Sequence, residues 1–238
     1  MEFECETHSI IAIVKTDMVT NRRKNEFMSR RSPENLPSLV DLTPAIDETV
    51  LAGLPLEESC AQNIDLSGRK IPSLVAWNSH FDHVSFASCE ISSFRLRDVR
   101  LVKCDLSNAV LRGFEASRVE FIECRLIGMR AIECHWQDVL IENCDMRYAQ
   151  LNDGKARSCE FRASHLGESD LRGTDLEGAI FTNVMLQRAD LSRAKLRGAD
   201  LSGAEIEGIA VQAEDLRGAI VSVVQAVDLS RLLGLIIK

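Results

Sequence analysis

Few residues in this chain have the type and spacing to do chemistry. His80, Asp82 and His83 put two imidazoles and a carboxylate within four positions, a set able to ligate a divalent cation or pass a proton. Eight cysteines supply soft ligands and nucleophiles. Neither group has a spacing that fixes a site. No C-x-x-C pair occurs, His135 and His165 stand alone, and both the phosphate-cradling glycine loops and a nucleophile elbow are missing. What these side chains can do is decided by the element that carries them.

That element runs from Leu66 to Leu216 in a strict period of five. Every fifth residue is apolar, from Leu66, Ile71, Ala76, Phe81 and Phe86 through to Ile206, Val211 and Leu216, thirty-one positions without a polar one. The chain is 45% apolar overall, so the run marks a repeat architecture. Two residues before each such position sit mainly small or slender residues, for example Ala109, Val119, Ala149, Val184 or Ala199. Charge enters this second column only at Arg69 and Glu214, near its ends. An unpaired buried charge is very costly, so a column that excludes charge faces inward. The other three columns are mostly polar or charged and hold Gly68, Gly113, Gly173, Gly178, Gly198, Gly203 and Gly218; they face water or form turns.

Six of the cysteines, Cys89, Cys104, Cys124, Cys134, Cys144 and Cys159, fall in the slender inward column. A buried free thiol behaves as a small hydrophobe, so these read as structural and reduced, as in a reducing compartment. His80, Asp82 and His83 read as a solvated outer flank. The sequence therefore predicts no catalytic residue, no cofactor and no metal site.

A period of five belongs to neither helix nor strand. Two inward residues per five, with one outward residue between them, suit a short extended segment followed by a turn. Four such segments would close a square coil of about 20 residues, and parallel stacking at about 4.8 Å per layer gives close to eight coils in a rod of about 35–40 Å. On that spacing Phe81, Leu101, Phe121, Ile141, Phe161, Phe181 and Leu201 form one ladder. Phe94 stacks on Phe114, Cys104 on Cys124 and Cys144, and Trp136 has Ala131 one repeat before it and Ala156 one coil after.

The stretches Ala189-Asp190-Leu191-Ser192-Arg193, Ala194-Lys195-Leu196-Arg197-Gly198 and Ala199-Asp200-Leu201-Ser202-Gly203 resemble consecutive A(D/N)LXX units of pentapeptide-repeat proteins. The resemblance covers about two-thirds of the chain. It implies an all-β fold, a right-handed quadrilateral parallel β-helix. Around this core the sequence divides further. Residues 1–32 read as a disordered or loosely packed extension, with Met28 a candidate physiological start. Residues 33–63 carry four prolines and apolar side chains and read as an N-terminal cap, with a short helical turn at Asp47 to Gly53. Residues 64–218 form the β-helix. Residues 219–238 read as a short C-terminal capping helix, Ser222 to Gly234, with an N-cap serine, followed by a dimerisation tail.

Net charge is −8 and the pI near 5.2, which disfavours non-specific binding to nucleic acid or anionic membranes. No apolar run approaches a membrane span, and acids stand where a signal peptide needs bases. A cytoplasmic protein is expected. The C-terminal sequence resembles the ending of the fluoroquinolone-resistance pentapeptide proteins. That resemblance implies a homodimer through the tail, with Leu232, Leu233, Leu235, Ile236 and Ile237 as its apolar contacts. It also implies, as an alternative function, an acidic rod that mimics duplex DNA and engages DNA gyrase. Against this, more than half of the net charge lies in the first 63 residues, and Arg95, Arg97, Arg100 and Lys103 make a basic row. The favoured reading is a non-catalytic scaffold that binds another protein. Val102, Ile122, Ile127 and Ile132, apolar at outward positions, form the candidate partner patch. Surface metal binding at His80, Asp82 and His83 is the second alternative.

Overall fold

A computed structural model of the chain describes residues 30–33, 43–44 and 53–233. The backbone winds as a right-handed four-sided β-helix of about eight turns, and its strand pairs are parallel throughout. Each coil takes 20 residues. Leu101 pairs with Phe81 below and Phe121 above, and Ile141 with Phe121 and Phe161. The expected ladder is therefore the observed one. We name the four walls by a central residue: the Phe81, Leu106, Leu111 and Trp136 faces.

Strands Leu74–Asp82, Phe94–Val102 and Glu115–Ile122 run from the Trp136 face round a corner onto the Phe81 face. Each bends at one residue in the left-handed region: Asn78 at φ 50, Asp98 at φ 53 and Arg118 at φ 52. Left-handed backbone costs a side-chain-bearing residue about 1–2 kcal/mol, and the hydrogen bonds to the coils above and below hold it there. Gly113 takes such a corner at φ 52 without that cost. Gly203 serves a different need, since a Cβ there would stand 2.8 Å from Phe181 O.

The central column is buried from Leu66 through Val211, and Leu216 packs partly buried at the end. The aromatic rings interlock along the bore. Phe94 and Phe114 stack at 4.7 Å between centroids, and Phe161 lies parallel to Phe181 at 4.8 Å. Trp136 sits between Ala116 and Ala156 in register, edge-on to Phe114 at 5.2 Å. Small residues in adjacent layers make the room that the indole fills.

Stacking also reaches below residue 64, into the segment read as a cap. Leu56 pairs with Ala76 and Ala61 with Phe81, while Thr43–Pro44 pairs with Ser59 and Cys60 at the lower edge. At the other end Val223–Leu229 is a helix, continued by a 3-10 turn at Ser230–Leu233. Its N-cap is Ser222, and Ser222 and Gln225 form a reciprocal capping box. The expected extension before Arg30, the helical turn expected over 47–53 up to residue 52, and the Leu235–Ile237 tail lie outside the described residues.

Candidate interaction surfaces

The thiols are built into the wall. Cys104, Cys124 and Cys144 stack on the Leu106 face, as their spacing predicts, and Cys144 Sγ accepts from the Cys124 amide at 3.3 Å. Each thiol donates back to the carbonyl two residues earlier: Cys104 to Val102 O at 3.5 Å, Cys124 to Ile122 O at 3.4 Å and Cys144 to Glu142 O at 3.3 Å. In the next coil Ser164 Oγ does the same to Arg162 O at 2.7 Å. The slender column thus wants a small side chain with a donor, and cysteine or serine supplies it. Burial pushes the Cys134 thiol up to about 11 and the Cys159 thiol up to about 12. Burial, with Cys104 and Cys144 alongside, raises Cys124 well above its ordinary value. Neutral, buried thiols are poor nucleophiles and poor ligands.

The His80, Asp82 and His83 cluster divides. His83 Nδ1 lies 2.9 Å from Asp82 Oδ1, both at least partly exposed. His80 is buried, which corrects the expectation of a solvated flank shared by all three. Its burial, and then the Arg100 guanidinium, hold its imidazole below its ordinary pKa. Among the described residues no group of three or more His, Cys, Asp or Glu is placed to hold a metal ion.

The basic row is neutralised one coil up. Arg95 lies 3.7 Å from Glu115, Arg100 2.8 Å from Glu120 and Lys103 3.9 Å from Glu123, while Arg97 lies 3.5 Å from its neighbour Asp98. Further along, Arg118 donates twice to Asp98, each at 2.6 Å, and Arg172 pairs with Asp170 and Asp190. The Trp136 face carries an open groove of about 690 Å³ lined by Trp77, Arg95, Arg97, Glu115 and His135. Its two arginines already face acids.

Of the candidate partner patch, Val102 and Ile122 stand side by side on the Phe81 face. Ile127 and Ile132 lie on the next two faces, and all four are half-buried. Ile122, Ile127 and Ile132 follow one coil round three faces, with Val102 one coil below Ile122, so the four do not share a plane. Exposed apolar side chains concentrate instead on the C-terminal cap: Ile220, Val223, Val224, Val227 and Leu232. Leu233 ends the 3-10 turn.

The cap docks by a face that sequence reasoning did not choose. The sequence places an apolar face on the helix at Val223, Val224, Val227, Leu229, Leu232 and Leu233. The structure turns Gln225 and Leu229 toward the last coil and leaves the three valines exposed. Gln225 Nε2 donates to Leu201 O at 2.8 Å and Ala204 O at 2.7 Å, and its Oε1 accepts from the Ser222 amide. The reason is physical. The last coil ends in carbonyls with no further layer to pair them, and a buried unpaired carbonyl costs about 1–3 kcal/mol. A side-chain amide answers that need and an apolar stripe cannot.

A four-sided parallel solenoid whose polar side chains point outward defines a β-helical repeat protein with surfaces rather than a cleft. Profiles of known families agree. One for a pentapeptide repeat region matches residues 94–171, and one for pentapeptide repeats matches 159–198 and 181–209. Pentapeptide repeat protein QnrB4 of Escherichia coli is 28% identical over 147 residues, 57% of this chain and 66% of that protein. The chain thus spans just under two thirds of that relative's length. Among solved structures, a trypsin-treated form of QnrB1, a plasmid-mediated fluoroquinolone resistance protein, is similar at 22% identity and a TM-score of 0.39, covering 83% of this chain and 97% of that one. HetL, a pentapeptide repeat protein involved in heterocyst differentiation regulation in the cyanobacterium Nostoc sp. strain PCC 7120, is similar at 20% identity and a TM-score of 0.36, covering 71% and 90%. The chain belongs to the pentapeptide-repeat family.

Proposed function

We propose that the chain is a non-catalytic scaffold that binds another protein and pairs with a second copy of itself through its C-terminal cap. The observation that carries this reading is where exposed apolar side chains gather. Val223 is 66% and Val224 74% exposed, with Ile220, Val227 and Leu232 beside them on the same short segment. Elsewhere Leu54, Tyr148, Ile180 and Met185 are scattered along the body. A concentrated apolar patch rimmed by polar residues marks an association surface. Leu233, Leu235, Ile236 and Ile237 continue the same apolar run in sequence. Val102, Ile122, Ile127 and Ile132 are the body positions we assign to partner contact. Reduced buried thiols suit a cytoplasmic setting, and no helix among the described residues is long and apolar enough to cross a membrane. Light scattering of the full chain at micromolar concentration tests the pairing. A dimer mass that falls to a monomer mass in Val223→Asp/Val224→Asp, with the thermal midpoint kept, is expected. A monomeric wild type overturns it.

A second reading rests on the similarity to QnrB4: protection of a topoisomerase by an acidic rod. Such a rod needs carboxylates massed along a face. Here Arg100, Arg118, Arg157 and Arg172 are interleaved among them, which favours the first reading. A gyrase supercoiling assay with and without quinolone separates the two, and no effect at micromolar protein removes the second.

A further inference from the structure

Outward side chains of a solenoid are normally wet, and the Phe81 face departs from this. In one outward row, His80, Arg100, Glu120, Leu140 and Glu160, the members His80, Glu120 and Leu140 are under one-tenth exposed, as is Asp138 at the adjoining corner. Arg30 lies across that row. Its Nη2 is 3.4 Å from Glu120 Oε1 and its Nε 3.5 Å from Glu160 Oε2, so the guanidinium spans the layer of Leu140. Arg31 Nε lies 3.8 Å from Asp138 Oδ2. Arg30 is itself 10% exposed.

The contact is well placed but weakly bonded. Charge-assisted N–H···O bonds run to about 2.7–2.9 Å. Both glutamates already have nearer cations, Arg100 at 2.8 Å from Glu120 and Arg162 at 2.6 Å from Glu160. Arg30 Nε is buried without a hydrogen bond to any of the described residues. If Arg30 left, neither carboxylate would be stranded, and the arginine would regain its hydration.

We infer that residues 30–33 are a displaceable strap, and that Glu120, Leu140, Glu160 and Asp138 form a docking strip for a segment bearing paired arginines. The chain fills this strip in cis with Arg30 and Arg31. Lifting the strap uncovers Leu140 within a rim of carboxylates, on the same wall that carries Val102 and Ile122. The strip is thus a gated surface, open only when the chain's own segment gives way. It is separate from the C-terminal patch and stands whether or not that patch pairs two copies.

Trypsin reads the strap directly, because cleavage after Arg30 or Arg31 requires that segment to lift. In the full chain at low salt, Glu120→Gln/Glu160→Gln should speed this cleavage roughly 5–10-fold, as loss of two ion pairs implies. The thermal midpoint should stay within about 2 °C of wild type. Equal cleavage rates overturn a charge-held strap. A midpoint falling as far as that of Leu126→Ala shows an integral wall and overturns the gate. In trans, a synthetic peptide of residues 26–36 should bind full-length Arg30→Ala/Arg31→Ala at least about fivefold more tightly than wild type. Equal binding, or binding to neither, overturns the docking strip. Val223→Asp/Val224→Asp should leave all these readouts unchanged.

Discussion

Gly154 is the position where a single methyl group tests the stacking most sharply. It occupies the slender column of the Trp136 face, one coil above Cys134. A Cβ built there would overlap Cys134 Sγ and stand 2.9 Å from Leu151 O and 3.4 Å from Cys134 O. Replacing glycine by alanine at an unhindered site stabilises a protein by about 0.4–1 kcal/mol, because the unfolded chain loses freedom. Here the methyl enters a filled interior, where overpacking costs about 1–3 kcal/mol. Gly154→Ala should therefore destabilise by about 1–2 kcal/mol, or roughly 2–8 °C in thermal midpoint for a chain of this size. Removing the obstructing sulfur should restore part of the loss. Cys134→Ala in the Gly154→Ala background should show a favourable coupling of about 1 kcal/mol relative to the sum of the single changes. Circular dichroism through a thermal ramp on the four proteins measures this cycle. If Gly154→Ala raises the midpoint, the glycine is not stacked on Cys134 and the 20-residue register is wrong at that layer.

Gln225→Ala should free the cap, raising amide exchange over residues 222–229 about tenfold or more, since two carbonyls lose a donor. Gln225→Glu should be at least as disruptive, because it turns a carboxylate toward Leu201 O and Ala204 O. Trp136 Nε1 is buried with no partner, so Trp136→Phe should cost under about 1.5 kcal/mol while Trp136→Ala should cost about 3–5 kcal/mol; equal losses would contradict the packing described. The thiols give a pH signature. Cys134 and Cys159 keep their protons in the fold up to about 11 and about 12, above the ordinary 9.0. Above pH 9 the unfolded chain binds fewer protons than the folded one. Stability from this source is therefore fully present below pH 9 and falls as pH rises, by up to about 1.4 kcal/mol per pH unit for each thiol. Urea midpoints that stay level from pH 8 to pH 11 would refute it.

Much of the fold is legible because burial excludes charge and the period is unbroken. Leu66 to Val211 point inward as their column says, and Phe94, Phe114 and the cysteine stack fall where a 20-residue coil puts them. The same arithmetic held more than was drawn from it. Arg95 and Glu115, Arg100 and Glu120, and Lys103 and Glu123 are each 20 apart, so their pairing was readable and the basic row was not a free patch. Continuing the period downward reaches Ala61 and Leu56, both stacked in the structure. Other features carry no local signal. Arg30 meets Glu120 from 90 residues away, and nothing in its neighbourhood names that partner. His80 is buried in an outward position, which periodicity cannot see. The cap was misjudged because amphipathicity weighs side chains, whereas the end of a β-stack is ruled by its unpaired carbonyls.

The central claim is that each 20 residues climb one layer of a straight parallel stack, and a single distance tests it. Ser67 and Glu207 are exposed and share an outward row seven coils apart. Spin labels at Ser67→Cys and Glu207→Cys, in a full chain carrying Cys5→Ser, should give a narrow distribution centred at about 34 Å, allowing roughly 5 Å for the linkers. A broad distribution, or a mean well away from that value, would contradict the solenoid and every surface assigned on it.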